Sequence, residues 1–441
     1  MSKFGKDFLI GAATAAHQVE GNNIHSDYWT LEHMKYGNFN EPSLDAVDHY
    51  NRYEEDIQMI AKAGLSAYRF SIEWARIEPR QGTYDKQEIE HYRKVLTCCH
   101  ENGVEPIVTM MHFTSPKWLI ENGGWENEQT VEAFANYCKY VAEELGDQMK
   151  YICTINEANM GIQVAAIAER YKRQMMAKMQ QAAQNAANEQ KDTDKSDMEG
   201  NAQVGMNFND MMANMQRQKA ENLEVFGTED LQTFVSARTP EGDLLVMKAH
   251  QAAKAAMKSV KPELLIGISL SLHDIQSVEG GAENAAKEWE NEFSHYLPYI
   301  KEDDFFGLQN YSRSIIGPDG IMPNPKGAEE TQMGYEYYPE GLEHVIRRVH
   351  EELDIPIIVT ENGIATADDT RRVAYIETAL AGVGQCIADG IPVKGYMYWS
   401  MMDNFEWQKG FGMTFGLVAV DRSTQTRTPK PSLTFLGSYT K

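Results

Sequence analysis

Two glutamates end short apolar runs: Glu157 closes "YICTINE" and Glu361 follows "PIIVT". Such runs read as buried strands, where a carboxylate is costly to bury without partners. Two carboxylates held opposite one another, one protonated and one bare, can protonate a leaving group while the other attacks the carbon it leaves. Other apolar runs end in polar groups as well. His112 ends "VEPIVTMMH", Gln309, Asn310 and Tyr311 end the run from Phe305, and "YWSMMDNFEW" carries Trp399, Asp403, Asn404, Glu406 and Trp407. Any one of these residues alone reads as a satisfied hydrogen-bonding group or as core packing. Together they form a site candidate.

The elements that would position them repeat along the chain. "IAKAGLSAYRFSI", "CHENGVEPIVTMMH" and "IADGIPVKGYMYW" each show a helix end, a glycine suited to the left-handed position beyond it, and a short β-branched or aromatic run. Between such runs lie amphipathic stretches, for example Val131, Phe134, Ala135, Cys138, Val141 and Leu145 on one helical face. Strands are expected at 8–13, 67–72, 105–112, 151–157, 264–271, 305–311, 356–361 and 394–400. Eight nearly continuous apolar strands alternating with helices suit an α/β fold, a (β/α)8 barrel with its parallel sheet buried on both faces. In such a barrel the C-terminal strand ends surround the active site, and all the polar residues above fall there. A doubly wound sheet is the competing architecture. It calls for a Gly-rich phosphate loop after an early strand, and "GAATAAHQVEG" is not one.

The chain has 441 residues and a formal net charge of -24. That length fits one catalytic barrel spanning 1–441, and the charge argues against a nucleic-acid partner, which needs clustered Lys and Arg. No basic, apolar leader and no run of membrane-spanning length is seen, so no membrane partner and a cytoplasmic location are expected. The five cysteines lack CxxC spacing and read as core thiols. One segment breaks the repeat: residues 172–222 are rich in Met, Gln, Asn and Ala, around the charged run "NEQKDTDKSDMEGN". The spacing of Met175 with Met179, and of Met211 and Met212 with Met215, suggests two short helices joined by a solvated turn. The segment reads either as surface decoration or, because it follows the fourth strand, as a wall of the site.

"FLIGAATAAHQVEG", "YRFSIEWARIEP", "MHFTSPKWL", "TINE", "TENG" and "YWS" before "NFEW" occur in this order. They resemble glycoside hydrolase family 1, the β-glucosidase-like retaining enzymes. The resemblance runs from Phe4 to about Leu433, lapses in 172–222 and is faint from there to about Phe305. It implies a retaining β-glycosidase with Glu157 as acid/base and Glu361 as nucleophile. Breaking a glycosidic bond requires a proton for a poor leaving group while charge grows at the anomeric carbon, and the retaining route places the two carboxyl groups roughly 5–5.5 Å apart. Arg69 and Tyr311 would keep Glu361 ionised, and the Glu361 anion would raise the proton affinity of Glu157.

The resemblance also implies sugar-binding roles. Gln18, Glu406 and Trp407 match hydroxyl-binding positions at the far end of the ring, Trp399 the stacking platform, and His112 and Asn156 the contacts near the 2- and 3-hydroxyls. Glu406 as a carboxylate would repel a 6-phosphate, so unphosphorylated sugars are expected. The sequence departs from the family pattern at Ala158 (Pro is usual), Gln309 (Asn) and His17 (Tyr). The 172–222 excursion and the short stretch from His273 to Asp304 also depart from it, and by the resemblance they lie where the leaving group should bind. Trp118, Trp29 and Phe113 are candidates for an outer subsite or for the core.

The expected partners are β-glycosides or oligosaccharides, with no cofactor and no metal. A homo-oligomer is compatible with the sequence, which does not set stoichiometry. Two other readings compete. A non-catalytic glycoside-binding homologue would usually lack one glutamate. A metal-dependent barrel hydrolase would need converging ligands, whereas His25, His33, His49 and His250 are scattered.

Overall fold

The computed structural model of the chain describes residues 4–189 and 201–440. Eight strands close a barrel: β1 (Leu9–Ala13), β2 (Ala67–Ser71), β3 (Glu105–Met111), β4 (Tyr151–Ile155), β5 (Leu265–Ser271), β6 (Phe305–Gln309), β7 (Ile357–Asn362) and β8 (Val393–Trp399). Each pairs in parallel with its neighbours in sequence, and β8 pairs with β1. The helices α1 (His49–Ala63), α2 (Lys86–Glu101) and α3 (Gln129–Leu145) follow the first three strands. After β4 come α4 (Met160–Glu189), α5 (Asn201–Phe226) and α6 (Pro240–Val260). Then α7 (Ala282–Glu292) follows β5, α8 (Gly341–Glu352) follows β6, and α9 (Asp369–Ala388) follows β7.

The expected strands stand within one or two residues of those observed. Gly64, Gly103 and Gly390, the glycines read as helix ends, have φ of 94°, 68° and 94°, a region that costs a side-chain-bearing residue energy. Helix α3 buries Phe134, Cys138, Val141 and Leu145 as its spacing predicts, together with Tyr137. All five cysteines are free and buried. The barrel interior is filled by Ala13, Ala67, Ile107, Cys153, Phe305, Ile358 and Met397, with Trp399 packed against them. No helix among the described residues is long and apolar enough to cross a membrane.

The excursion after β4 departs from the expectation. Its helices are long, 30 residues in α4 and 26 in α5, and the first begins at Met160, well before residue 172. The charged turn between them falls at residues 190–200, outside the described residues. The C-terminal half of α5 is pinned to the barrel: Glu221 accepts from the Lys35 and Tyr36 amides at 2.7 and 2.9 Å, and Lys117 donates to the Val225 carbonyl at 2.8 Å.

Two backbone irregularities set up the strand ends. Strand β7 carries one extra residue between Val359 and Glu361 relative to Leu308 and Gln309 of β6, a bulge of the kind that re-aims a side chain. Glu157 has φ of 45°, a left-handed conformation that costs a non-glycine residue about 1 kcal/mol or more. Its neighbours hold it there: the Asn156 amide donates to the Met111 carbonyl and the Ala158 amide to the Ser269 carbonyl, each at 2.9 Å.

Just beyond Glu361, Gly363 passes close to β8. A Cβ there would lie 2.0 Å from the Trp399 carbonyl oxygen. Gly363→Ala is therefore expected to destabilise the fold by roughly 1–3 kcal/mol, read as a lower thermal midpoint. Gly384→Ala in α9, where the added Cβ would meet only the Phe4 ring at 3.5 Å, should leave the midpoint unchanged or raise it slightly.

Candidate active site

The C-terminal strand ends open into a cleft of about 630 Å³ whose lining includes Glu157, Glu361, His112, Tyr311, Trp399, Glu406 and Trp407. Gln18, Asn156 and Arg69 stand behind these residues, each with 0 % exposure. The two glutamates and the residues assigned to the sugar thus gather at one end of one barrel.

Glu361 is 2 % exposed and receives two directed hydrogen bonds, from Arg69 Nη1 to Oε1 and from the Tyr311 hydroxyl to Oε2, both 2.5 Å. Arg69 also donates to Asn156 Oδ1 at 2.6 Å and to the Thr360 carbonyl at 3.3 Å. Burial raises the pKa of Glu361 above the usual carboxylate value, and Arg69 and Tyr311 pull it back. Glu157 has no such donors. Burial first, and then the Glu361 charge, push its pKa well above the ordinary range, with a further rise from Glu406. Glu361 therefore gives up its proton before Glu157, and the pair titrates as a unit.

The surrounding groups are polarised in the same way. Burial and then Arg69 drive the pKa of His112 well down, so the ring is neutral. Its Nε2 faces Asn156 Nδ2 at 3.1 Å and lies 4.0 Å from Glu361 Oε1. Gln18 Nε2 donates to the Phe405 carbonyl at 2.7 Å and reaches Glu406 at 3.4 Å, while its Oε1 has no protein partner. Trp399 lies under His112, ring centroids 5.5 Å apart and nearly parallel. Trp407 is half-buried against Tyr28, His17 and Phe113. The two indoles both pack on the aromatic core and line the cleft.

Burial, followed by the Glu361 charge, pushes the Glu406 pKa up to about 8. This corrects the electrostatic reading of that residue: near neutral pH it is largely protonated, so repulsion of a phosphate by its charge is weak. The remaining obstacle to a phosphate is the supply of cations. Among the lining residues the fixed positive charge is Arg313, already held by Glu336 at 2.8 Å through both Nε and Nη2.

The outer-subsite candidates divide. Phe113 lines the cleft. Trp118 does not; its Nε1 donates to the Glu78 carbonyl at 2.8 Å and it packs edge-on to Trp74. The Trp29 ring instead lies tilted against His33, with ring centroids 4.5 Å apart. Met160, Gln163 and Ile167 of α4, which lie ahead of the 172–222 segment, line the cleft. His49 bonds Asp56 and His250 bonds Thr154 and Asp303, both buried structural pairings. Among the described residues no three His, Cys, Asp or Glu side chains converge as a metal site.

The sequence reading missed Tyr28, Tyr335, Gln408 and the Arg313–Glu336 pair, all on the cleft wall. The signal for several of them was the long connection between β6 and α8, since long loops on this face of a barrel build active sites.

Comparison with known proteins agrees with this geometry. The family model described as Glycosyl hydrolase family 1 matches residues 1–441. A solved structure of β-glycosidase BGL167 is 44% identical, covers 99% of this chain and 97% of its own, and superposes with a TM-score of 0.85. Beta-glucosidase A of Thermotoga maritima is 29% identical over 98% of this chain and 96% of its own length. A 6-phospho-beta-galactosidase of Lacticaseibacillus casei is also 29% identical, over 99% and 98%, so overall similarity does not separate phosphorylated from free sugars.

Because the folded-state pKa of Glu406 is raised from 4.5 to about 8, the wild-type protein loses stability as pH rises through that interval, where the unfolded chain ionises first. Glu406→Gln removes this cost. Its thermal midpoint is expected to match wild type near pH 4.5 and to exceed it at pH 8–9, measured in calorimetric scans without ligand.

Proposed function

The chain belongs to glycosyl hydrolase family 1, and from that premise we propose that it is a retaining β-glycosidase. It acts on terminal non-reducing β-D-glucosides, with β-galactosides and β-fucosides as further candidates, and residues 1–441 form one catalytic domain. The observation that carries the reading is the asymmetry of the two buried carboxylates. Glu361 has two donors, Arg69 and Tyr311; Glu157 has none and bears the Glu361 charge against it.

In this reading Glu361, ionised first, attacks the anomeric carbon as the C–O bond breaks. Glu157 gives its proton to the departing oxygen. Arg69 and Tyr311 hold the attacking carboxylate in place. Tyr311, whose own pKa is pushed well up by burial and then by Glu361, stays a neutral donor throughout. Once Glu361 is an ester its charge is gone, the proton affinity of Glu157 drops, and Glu157 takes a proton from water, which attacks the same carbon. Two displacements return the original β configuration. Another alcohol in place of water gives transglycosylation.

Binding follows from the polar groups at the deep end. Asn156 serves the 2-hydroxyl and His112 the neighbouring one, Gln18 and Glu406 the far end of the ring, Trp407 adds a further polar contact there, and Trp399 covers the apolar face of the pyranose. At neutral pH a largely protonated Glu406 can both donate to and accept from a sugar hydroxyl. The first turns of α4 and the wall around Arg313 take the leaving group. The buried free thiols and the absence of a long apolar helix among the described residues suit a cytoplasmic location.

Glu361→Gly is expected to abolish turnover, by at least roughly 10³-fold, with azide restoring cleavage of an activated aryl glucoside and yielding the α-glucosyl azide. Undiminished activity, or a β-azide, counts against Glu361 as nucleophile. Glu157→Ala should spare glycosylation by a dinitrophenyl glucoside, which needs no proton, far more than by an alkyl glucoside; equal losses on both remove the acid role. In wild type, kcat/KM should fall on the acid side as Glu361 is protonated and on the alkaline side as Glu157 is ionised. Arg69→Met should move the acid limb to higher pH, because the donor that lowers the Glu361 pKa is lost.

A further inference from the structure

Asn156 Oδ1 accepts two hydrogen bonds, from Arg69 Nη2 and from Gln309 Nε2, both 2.6 Å. An amide oxygen has two lone pairs, so this one is saturated. The amide is thereby fixed in one orientation. Its nitrogen can only donate, and one of its two hydrogens is directed to His112 Nε2 at 3.1 Å, the acceptor of a neutral ring. The second hydrogen is left for a ligand.

Gln309 ends β6 with 0 % exposure, its Cα in register with Glu361 on one side and Ser271 on the other. Its side-chain nitrogen bonds Asn156, and its Oε1 has no hydrogen-bond partner. A buried amide with an unpaired oxygen is an expensive way to fill space, since an apolar side chain of equal size would leave nothing unpaired. The cost is explained if the nitrogen is what the site needs there. The two donors on Asn156 also differ in kind. Arg69 is shared with Glu361, so its hold depends on a charge that disappears when Glu361 is esterified. Gln309 is neutral and bonds Asn156 whatever the state of Glu361.

We propose that Gln309 is a positioning residue that fills the second lone pair of Asn156 Oδ1 and so keeps the Asn156 amide donor-only toward the sugar's 2-hydroxyl through both displacements. The site then reads that hydroxyl as an acceptor. Gln309 is one methylene longer than the Asn that the family resemblance places at this position. The inference rests on the assignment of Asn156 to the 2-hydroxyl made under the proposed function.

The test compares kcat/KM for an aryl β-D-glucoside and its 2-deoxy analogue in wild type, Gln309→Met, Gln309→Asn, Asn156→Ala and the Asn156→Ala/Gln309→Met double variant. Gln309→Met keeps the volume and removes the donor. It is expected to lose roughly tenfold on the glucoside and less than about twofold on the 2-deoxy substrate. In the Asn156→Ala background the same change should cost little, because there is no amide left to orient. Gln309→Asn should fall between wild type and Gln309→Met, and if Gln309→Met does not fold it carries the comparison alone, with a smaller loss confined to the 2-hydroxylated substrate. Equal losses on the two substrates, or an undiminished loss without Asn156, overturn the positioning role. A wild type that already treats both substrates alike overturns the assignment of Asn156 itself and with it the inference. Glu361→Gly rescued by azide in that case would leave the retaining mechanism standing.

Discussion

One buried guanidinium holds the site together. Arg69 stands inside the barrel with no exposure and reaches Glu361, Asn156 and the Thr360 carbonyl. A charge there is tolerable only because a carboxylate is buried beside it. That carboxylate in turn makes the ionisation of Glu157 unfavourable. The proton on Glu157 thus follows from its burial and then from the charge that Arg69 and Tyr311 sustain on Glu361. His112 obeys the same rule with opposite sign: burial and the nearby guanidinium keep it neutral, so that it can accept from Asn156.

The barrel makes this arrangement affordable. Parallel strands present their C-terminal ends to one face, so side chains far apart in sequence converge without long loops. Arg69 arrives from β2, Glu157 from just past β4, Gln309 from β6 and Glu361 from β7. Where the regular strand would aim a group wrongly, the backbone gives way locally, as at the β7 bulge and the left-handed Glu157. Gly363 lets β7 and β8 close up immediately beyond Glu361. The rigid core beneath, from Ala67 to Met397, supports the cluster of polar groups above it.

The barrel and its polar rim were legible in the sequence because buried parallel strands read as apolar runs and their ends carry residues that such runs do not otherwise tolerate. Glycines at 64, 103 and 390 marked helix ends by a backbone need that is local. What sequence could not carry was pairing through space. Nothing near Gln309 in the chain says that its amide meets Asn156, and Trp118 and Phe113 look alike until one is seen bonded to the Glu78 carbonyl and the other lining the cleft. The helices after β4 were misjudged in extent because a Met- and Gln-rich composition gives little contrast between helical faces. The net charge state of Glu406 depends on burial, which no local pattern reports.

The central claim is that burial, reinforced by the Glu361 charge, holds the proton on Glu157. It is tested most directly by ¹³C NMR titration of the Glu157 carboxyl in wild type and in Glu361→Gln. The account predicts that Glu157 titrates well above the ordinary carboxylate range in wild type and lower once the neighbouring charge is removed. An unchanged Glu157 titration would contradict it.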